Sequence, residues 1–291
     1  MRDERKALLF ALVSIVLWGT LAAVVGDALD GLPAPAMLFW SLLFAAMALA
    51  ITHLARGGAP ARLVSGPPSL ILLGLWGIFG YHALFFEALA RAPIVEANLL
   101  NYLWPLGVVV LAPVLARERA SGLALAGAAI GFLGAALVVT QGRHLRIDSG
   151  ELPGYVCAAL AALAWSSFSV LLRRTATPGE DHMPLFVIWS LAAAAIFAVA
   201  RHQLVFPAPR ALAAAAWVGV GPMAIAFVCW DRAMRLGSAA RIGALSYLDP
   251  LLSTLCVAAV LHKTLTGATW IGMALIIGGA ATPTLLAVRR R

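Results

Sequence analysis

The sequence predicts an all-α integral membrane protein with ten transmembrane helices, arranged as two inverted five-helix repeats. Three observations carry that expectation. The 291 residues are 62% hydrophobic and only 12% charged, with a mean hydropathy of +0.93, which is more apolar surface than a water-facing domain can hide. The apolar residues gather in stretches near the roughly 20 residues that a helix needs to cross the hydrocarbon. The second half of the chain also repeats features of the first at an offset of 145 positions.

The stretches run, in order, over 7–25, 35–54, 70–90, 94–115, 121–140, 153–172, 183–200, 211–234, 239–261 and 266–288. The first follows Arg2, Arg5 and Lys6 as a secretory signal would, but its apolar run exceeds the usual 7 to about 15 residues and no convincing small-x-small cleavage site follows. It is therefore read as a permanent span. Gly57-Gly58-Ala59-Pro60 and Gly66-Pro67-Pro68 separate the second and third stretches. Thr177-Pro178-Gly179 and Phe206-Pro207-Ala208-Pro209 bracket the seventh. On the fifth, Gly127, Gly131 and Gly134, and on the tenth, Gly272 and Gly279, have the spacing that lets helix backbones approach closely, so both are expected to pair tightly with neighbours.

The net charge of +8 could suggest a nucleic-acid partner, but the basic residues sit in short runs between apolar stretches rather than on one soluble face. No nucleic acid is expected; the partner is the lipid bilayer. Most of the 21 Lys and Arg fall on one side of an even-numbered topology: the N-terminus, Arg56 and Arg62, Arg117 and Arg119, Arg173 and Arg174, Arg232, Arg235 and Arg241, and the tail Arg289, Arg290 and Arg291. Arg91, Arg143, Arg146, Arg201, Arg210 and Lys263 occupy the other. Both termini are thus expected in the cytoplasm. Cys157, Cys229 and Cys256 lie inside apolar stretches with no CxxC spacing and read as packing residues, so neither metal nor cofactor is expected.

The repeat is most visible where Tyr102-Leu103-Trp104-Pro105-Leu106 falls on Tyr247-Leu248-Asp249-Pro250-Leu251. Gly122, Gly127 and Gly134-Ala135-Ala136 likewise fall on Gly267, Gly272 and Gly279-Ala280-Ala281. Halves of 1–145 and 146–291 with five helices each would enter the membrane in opposite orientations, and inverted repeats of this kind serve alternating access around a midplane site.

With the Trp18-Gly19 pair in the first helix, the prolines of the fourth and ninth, and the Arg117-Glu118-Arg119 turn ahead of a glycine-spaced fifth, the chain resembles the drug/metabolite transporter superfamily, specifically its EamA-type ten-helix members. The run from Glu96 through Asn98, Asn101, Tyr102 and Trp104 to Pro105 is most similar to the aromatic amino acid exporter branch. That resemblance implies export of aromatic, with other neutral, amino acids across a bacterial inner membrane. It also implies, as an alternative, export of cationic or amphipathic solutes such as methyl viologen. A monomer is expected, with a dimer as the alternative. Asp249 before its proline departs from a typical family helix and leaves the charge preference of the site open.

Polar residues at membrane depth are costly and face a bundle interior or a watered cavity. Asn98, Asn101, Tyr102 and Pro105 form one stripe of the fourth helix, and Ser246, Asp249, Pro250 and Ser253 repeat the spacing on the ninth. Pro105 and Pro250 are expected to break their helices and to free the carbonyls of Asn101 and Ser246 for a ligand or water. Asn101 and Ser246 are equally well read as glue between helices, typically about 0.6 kcal/mol, or as ligand contacts. For Asp249 three readings are open: an ion pair, a protonated acid, or a partner for a substrate ammonium, the last being favoured. Tyr81, His82 and Glu87 could form a polar wall or proton relay, although a lone His in an apolar helix is more often a core residue. Trp18, Trp104 and Trp165 lie inside their spans rather than in the interfacial belt, where they either pack or offer faces to a ring or cation. An intramembrane enzyme would need motifs such as HExxH or GxSxG, which are absent from the sequence. A channel would need a continuous polar ring. Proton coupling and facilitated diffusion are both open.

Overall fold

A computed structural model describes residues 2–21, 24, 32–119, 121–144, 149–175, 181–260 and 265–288. The outer end of the first expected span with Asp27 and Asp30, Arg146, Thr177-Pro178-Gly179, Lys263 and the three terminal arginines lie outside the described residues.

Among the described residues all regular structure is helical. Helix α1 spans Arg2–Gly19. Helix α2 spans Ala34–Ala55, with proline in its first turn where no N–H is missed. Helices α3 (Pro68–Gly74) and α4 (Tyr81–Arg91) are joined through a π-helical turn, Leu75–Gly80. Helices α5 (Ile94–Asn101) and α6 (Trp104–Leu115) follow, then α7 (Gly122–Thr140), whose N-terminus is capped by the Ser121 hydroxyl accepting from Ala124 N at 3.2 Å. Helix α8 is Leu152–Leu171 and α9 is Met183–Ala200. A second π-helical turn, Gly219–Ile225, joins α10 (Pro209–Val218) to α11 (Ala226–Leu236). The chain continues through α12 (Ala239–Leu245), α13 (Leu248–Val260) and α14 (Gly267–Val288).

Among the described residues seven helical segments are long and apolar enough to cross a membrane: Ala34–Ala55, Pro68–Arg91, Val95–Leu115, Gly122–Thr140, Ser149–Thr175, Met183–Ala200 and Pro209–Leu236. The other three expected spans fall on α1, which begins with charged residues, on the interrupted pair α12 and α13, and on α14, whose apolar part Gly267–Ala280 is shorter. Leu72, Val114, Ile196 and Ile271 are exposed on outward faces, where lipid is the fitting solvent. The chain is a multi-pass membrane protein.

The expected fourth and ninth helices are not continuous rods. Each is broken at a two-residue turn, at Tyr102–Leu103 and at Ser246–Tyr247, shortly before Pro105 and Pro250. A proline offers no N–H to the carbonyl four residues back, so the ladder opens there. The freed carbonyl of Ser246 does not stay open: Asp249 N donates to it at 3.0 Å, closing a tighter turn.

Glycines mark where backbones meet. A Cβ on Gly134 would lie 2.6 Å from Gly272 O, and one on Gly272 would lie 2.6 Å from Gly134 O. A Cβ on Gly279 would sit 2.5 Å from Gly127 O. Helices α7 and α14 therefore pack against each other along the glycine faces that the spacing suggested. At the π turns, Gly77 faces the Phe168 ring and Gly219 faces Ser41 O, both too close for a side chain.

Candidate functional site

Four tryptophans from four helices meet at one place. Trp18 near the end of α1, Trp104 at the start of α6, Trp165 in α8 and Trp230 in α11 each lie against the other three, with ring centroids 5.2 to 6.5 Å apart. Most of these contacts are edge-to-face or tilted, as the ring quadrupoles favour. Phe227 and Phe168 extend the cluster against Trp165, each at 5.5 Å. Trp18 Nε1 donates to Pro222 O at 3.0 Å, a carbonyl inside the second π turn, and Trp230 Nε1 donates to Ser169 Oγ at 2.9 Å. These bonds pin two of the rings. Trp104, Trp165 and Trp230 are buried, whereas Trp18 keeps part of its surface accessible.

Polar groups abut the cluster through Tyr81, the first residue of α4, whose ring tilts against Trp165 at 5.3 Å and whose hydroxyl accepts from Asn101 Nδ2 at 3.3 Å. Asn101 ends α5 at the break and is buried, yet its Oδ1 has no hydrogen-bond partner. Asp249, two residues past the second break, has a buried Oδ1 that is also without a partner. Its carboxylate is near enough to interact electrostatically with the hydroxyls of both Tyr81 and Tyr102. The first helix break and the first π turn thus bring Asn101 and Tyr81 together beside Trp165. Buried polar atoms are satisfied in most folds, so two orphaned oxygens here invite an unseen donor.

The remaining expected site residues are placed differently. His82 packs on Tyr81 at 4.8 Å and its Nδ1 donates to Ile78 O at 2.6 Å, so in the neutral ring Nε2 is an acceptor. Glu87 is bound by Arg91 at 2.8 Å and by Arg201, so it is engaged at the far end of α4 rather than in a relay with His82. The Ser246 hydroxyl is fully buried and donates to Ile242 O of its own helix at 2.8 Å. Asn98 is half-buried, and its backbone carbonyl accepts from Tyr102 N at 2.9 Å in the turn that ends α5.

Toward the end of the bundle where α6, α8 and α12 meet, Glu118 gathers several donors. Its carboxylate accepts from Arg173 Nη1 at 2.6 Å, from Ser238 Oγ at 2.9 Å and from Ala239 N at 2.8 Å, and Arg173 also donates to Gly237 O. Nearby, Arg241 binds Glu4, and Arg235 Nε donates to the buried Asp231 at 2.7 Å. A cavity of about 1300 Å³ is lined by loop and helix-end residues including His53, Arg56, Arg174, Asp231 and Arg232, and by none of the expected site residues.

Trp230 and Glu118 are the residues that sequence reading missed as contributors. Trp230 lies just before Asp231 and Arg232, near the end of the expected eighth span, where a tryptophan passes for an interfacial one. Glu118 sat inside a recognisable Arg-Glu-Arg turn, but a turn gives no hint of its distant partners.

Comparison with known proteins comes to the same region of protein space. The model of the EamA-like transporter family matches twice, over residues 5–140 and 152–283. The aromatic amino acid exporter YddG of Ancylobacter novellus is 34% identical over 99% of this chain and 100% of its own length. The aromatic amino acid exporter YddG of Escherichia coli K12 is 23% identical over 95% of this chain and 96% of its own. A solved crystal structure, 34% identical, superposes with a TM-score of 0.89 over 99% of both chains. The apolar helices, the paired breaks and the family match over nearly the whole length agree: this chain belongs to the EamA-like transporter family.

Proposed function

We propose that this protein exports aromatic amino acids, with other neutral ones, across a bacterial inner membrane, using an alternating-access cycle and the pocket of Asn101, Tyr81 and Asp249 beside the tryptophans. The observation that carries the reading is the pair of unpartnered buried oxygens, Asn101 Oδ1 and Asp249 Oδ1, the first on a residue bonded to the Tyr81 hydroxyl whose ring packs on Trp165. In this account Asp249 and Asn101 meet the substrate ammonium, while Tyr81, Trp18 and Trp165 contact its ring. Ser246 shapes the turn before Asp249, Asn98 shapes the turn before Trp104, and Pro105 and Pro250 keep both breaks open. The 34% identity to the Ancylobacter novellus exporter supports the substrate class.

The cycle rests on ten spans in two inverted halves, 1–145 and 146–291, with both termini cytoplasmic. The two family matches support the division, as do two features that recur near the same offset: the π turns at Leu75–Gly80 and Gly219–Ile225, and the breaks before Pro105 and Pro250. Rocking of one half against the other would alternate access to the tryptophan-lined pocket. The bonds of Glu118, Arg173 and Ala239 would hold the cytoplasmic end closed, and the arginine-lined cavity would admit solute from that side.

The test is efflux of labelled phenylalanine, tryptophan and leucine from proteoliposomes at matched internal concentration. Release of the two aromatic solutes faster than from empty liposomes, and faster than leucine, is the expected result. If none of the three leaves faster than from empty liposomes, the amino acid reading fails.

A further inference from the structure

Resting on the reading of this pocket as the transport site, we propose that its recognised group is a primary ammonium, and that the protein also exports primary arylalkylamines, which have the ring and amine of an aromatic amino acid but no carboxylate.

The buried atoms left without a partner at the pocket, Asn101 Oδ1 and Asp249 Oδ1, are acceptors. Asn101 gives one of its two amide N–H groups to Tyr81 and keeps an oxygen without a partner, while its second N–H and the Tyr81 and Tyr102 hydroxyls are neutral donors. Asp249 contributes a second unpartnered oxygen. An ammonium carries three donors and no acceptor, and it is the complement of such a set. A carboxylate would find only neutral donors there, the second N–H of Asn101 and the tyrosine hydroxyls, and no cation. Among the described residues every Lys and Arg lies in a loop or within the first or last two turns of a helix, away from the breaks at Tyr102–Leu103 and Ser246–Tyr247. Several of those basic groups are already engaged with Glu4, Glu87, Glu118 and Asp231. A substrate carboxylate would therefore enter a region whose own charge is that of Asp249, with no facing cation to offset it. Removing the carboxylate from an aromatic amino acid gives up contacts to neutral donors only and relieves its repulsion with Asp249.

The same inventory separates amines from other organic cations. A pyridinium or quaternary ammonium offers charge to Asp249 and a face or methyl groups to the tryptophans, but no N–H for the oxygens of Asn101 and Asp249. Leaving buried acceptors unmade is unfavourable, so a primary amine should be preferred over its trimethylated analogue.

The experiment is counterflow of labelled tyrosine into wild-type proteoliposomes, inhibited in turn by tyramine, 3-(4-hydroxyphenyl)propionate and N,N,N-trimethyltyramine. These three share one ring and differ only in the charged group. Labelled tyramine exchange against trapped tyramine is measured in parallel with wild type and Asp249→Asn. Tyramine is expected to inhibit at concentrations within about threefold of unlabelled tyrosine, the acid at least about tenfold more weakly, and the trimethyl compound between them, a tenfold step matching one charge-assisted hydrogen bond. Tyramine exchange should exceed that of empty liposomes and fall in Asp249→Asn. Inhibition by the acid equal to that by tyramine would overturn the proposal, as would tyrosine counterflow that tyramine does not inhibit. If tyramine exchanges and tyrosine does not, the amino acid reading fails while the ammonium assignment stands. Because the three competitors are compared on wild type, a variant that fails to fold does not spare the proposal.

Discussion

Asp249 is the residue on which the site turns. A carboxylate at the middle of a span costs roughly 2.5 kcal/mol or more on insertion scales, and this one has an oxygen without a partner. Such an expense persists where a ligand supplies the missing donor. Asp249→Asn keeps the shape and an acceptor oxygen but removes the charge, and a hydrogen bond to a charged group is worth about 1.5–3 kcal/mol. The half-saturating concentration for phenylalanine efflux is therefore expected to rise about tenfold or more, with the thermal midpoint of unfolding unchanged or raised; an unchanged half-saturating concentration would remove Asp249 from the site. The sequence made Asn101 and Asp249 legible because polarity at membrane depth is costly wherever it occurs. It could not show that the Ser246 hydroxyl turns back to Ile242 O, since a serine satisfied by its own helix and one facing a ligand look alike in a sequence. Trp230 was hidden for a related reason: its neighbours Asp231 and Arg232 place it by composition at an interface, while their mutual packing with Arg235 and Phe10 lets the ring stay inside.

At the scale of elements, departures from the ideal helix position the site. The breaks at Tyr102–Leu103 and Ser246–Tyr247 set Asn101 and Asp249 at helix ends, and the π turn Leu75–Gly80 directly precedes Tyr81. The prolines announced the breaks in the sequence. The π turns were not announced, because Gly77 and Gly219 read only as small residues until Phe168 and Ser41 are seen against them. The glycine faces of α7 and α14 were legible by spacing, and they carry a stability prediction. Gly134→Val would drive a side chain into Gly272 O and Ile276, with an overpacking cost of about 1–3 kcal/mol. Its thermal midpoint in detergent should fall by several degrees, whereas Gly122→Ala, which meets nothing within 4 Å, should leave the midpoint in place. Equal midpoints for the two variants would show that this helix pair does not hold the fold.

For the whole molecule, the proposed cycle requires that the two halves part at one end while they close at the other. Glu118 ties the chain after α6 to Arg173 beyond α8 and to the first turn of α12, so it is a bond that an opening motion at this end must break. Glu118→Gln would weaken the charged hydrogen bonds, and amide exchange at Ala239 to Arg241 is expected to rise by about an order of magnitude; unchanged exchange would mean the contact holds nothing closed. The repeat was visible in the sequence through Tyr-Leu-x-Pro-Leu and the matching glycines, and the family model matches the chain twice, over residues 5–140 and 152–283. The network around Glu118 was not visible, since its donors come from three separate parts of the chain. The most direct test of the central claim is counterflow of labelled tryptophan into proteoliposomes preloaded with unlabelled tryptophan, comparing wild type with Asp249→Asn. The account predicts transient accumulation well above empty liposomes for the wild type, reduced about tenfold in the variant at low substrate. Wild-type accumulation that the variant matches, or no accumulation by either, would contradict it.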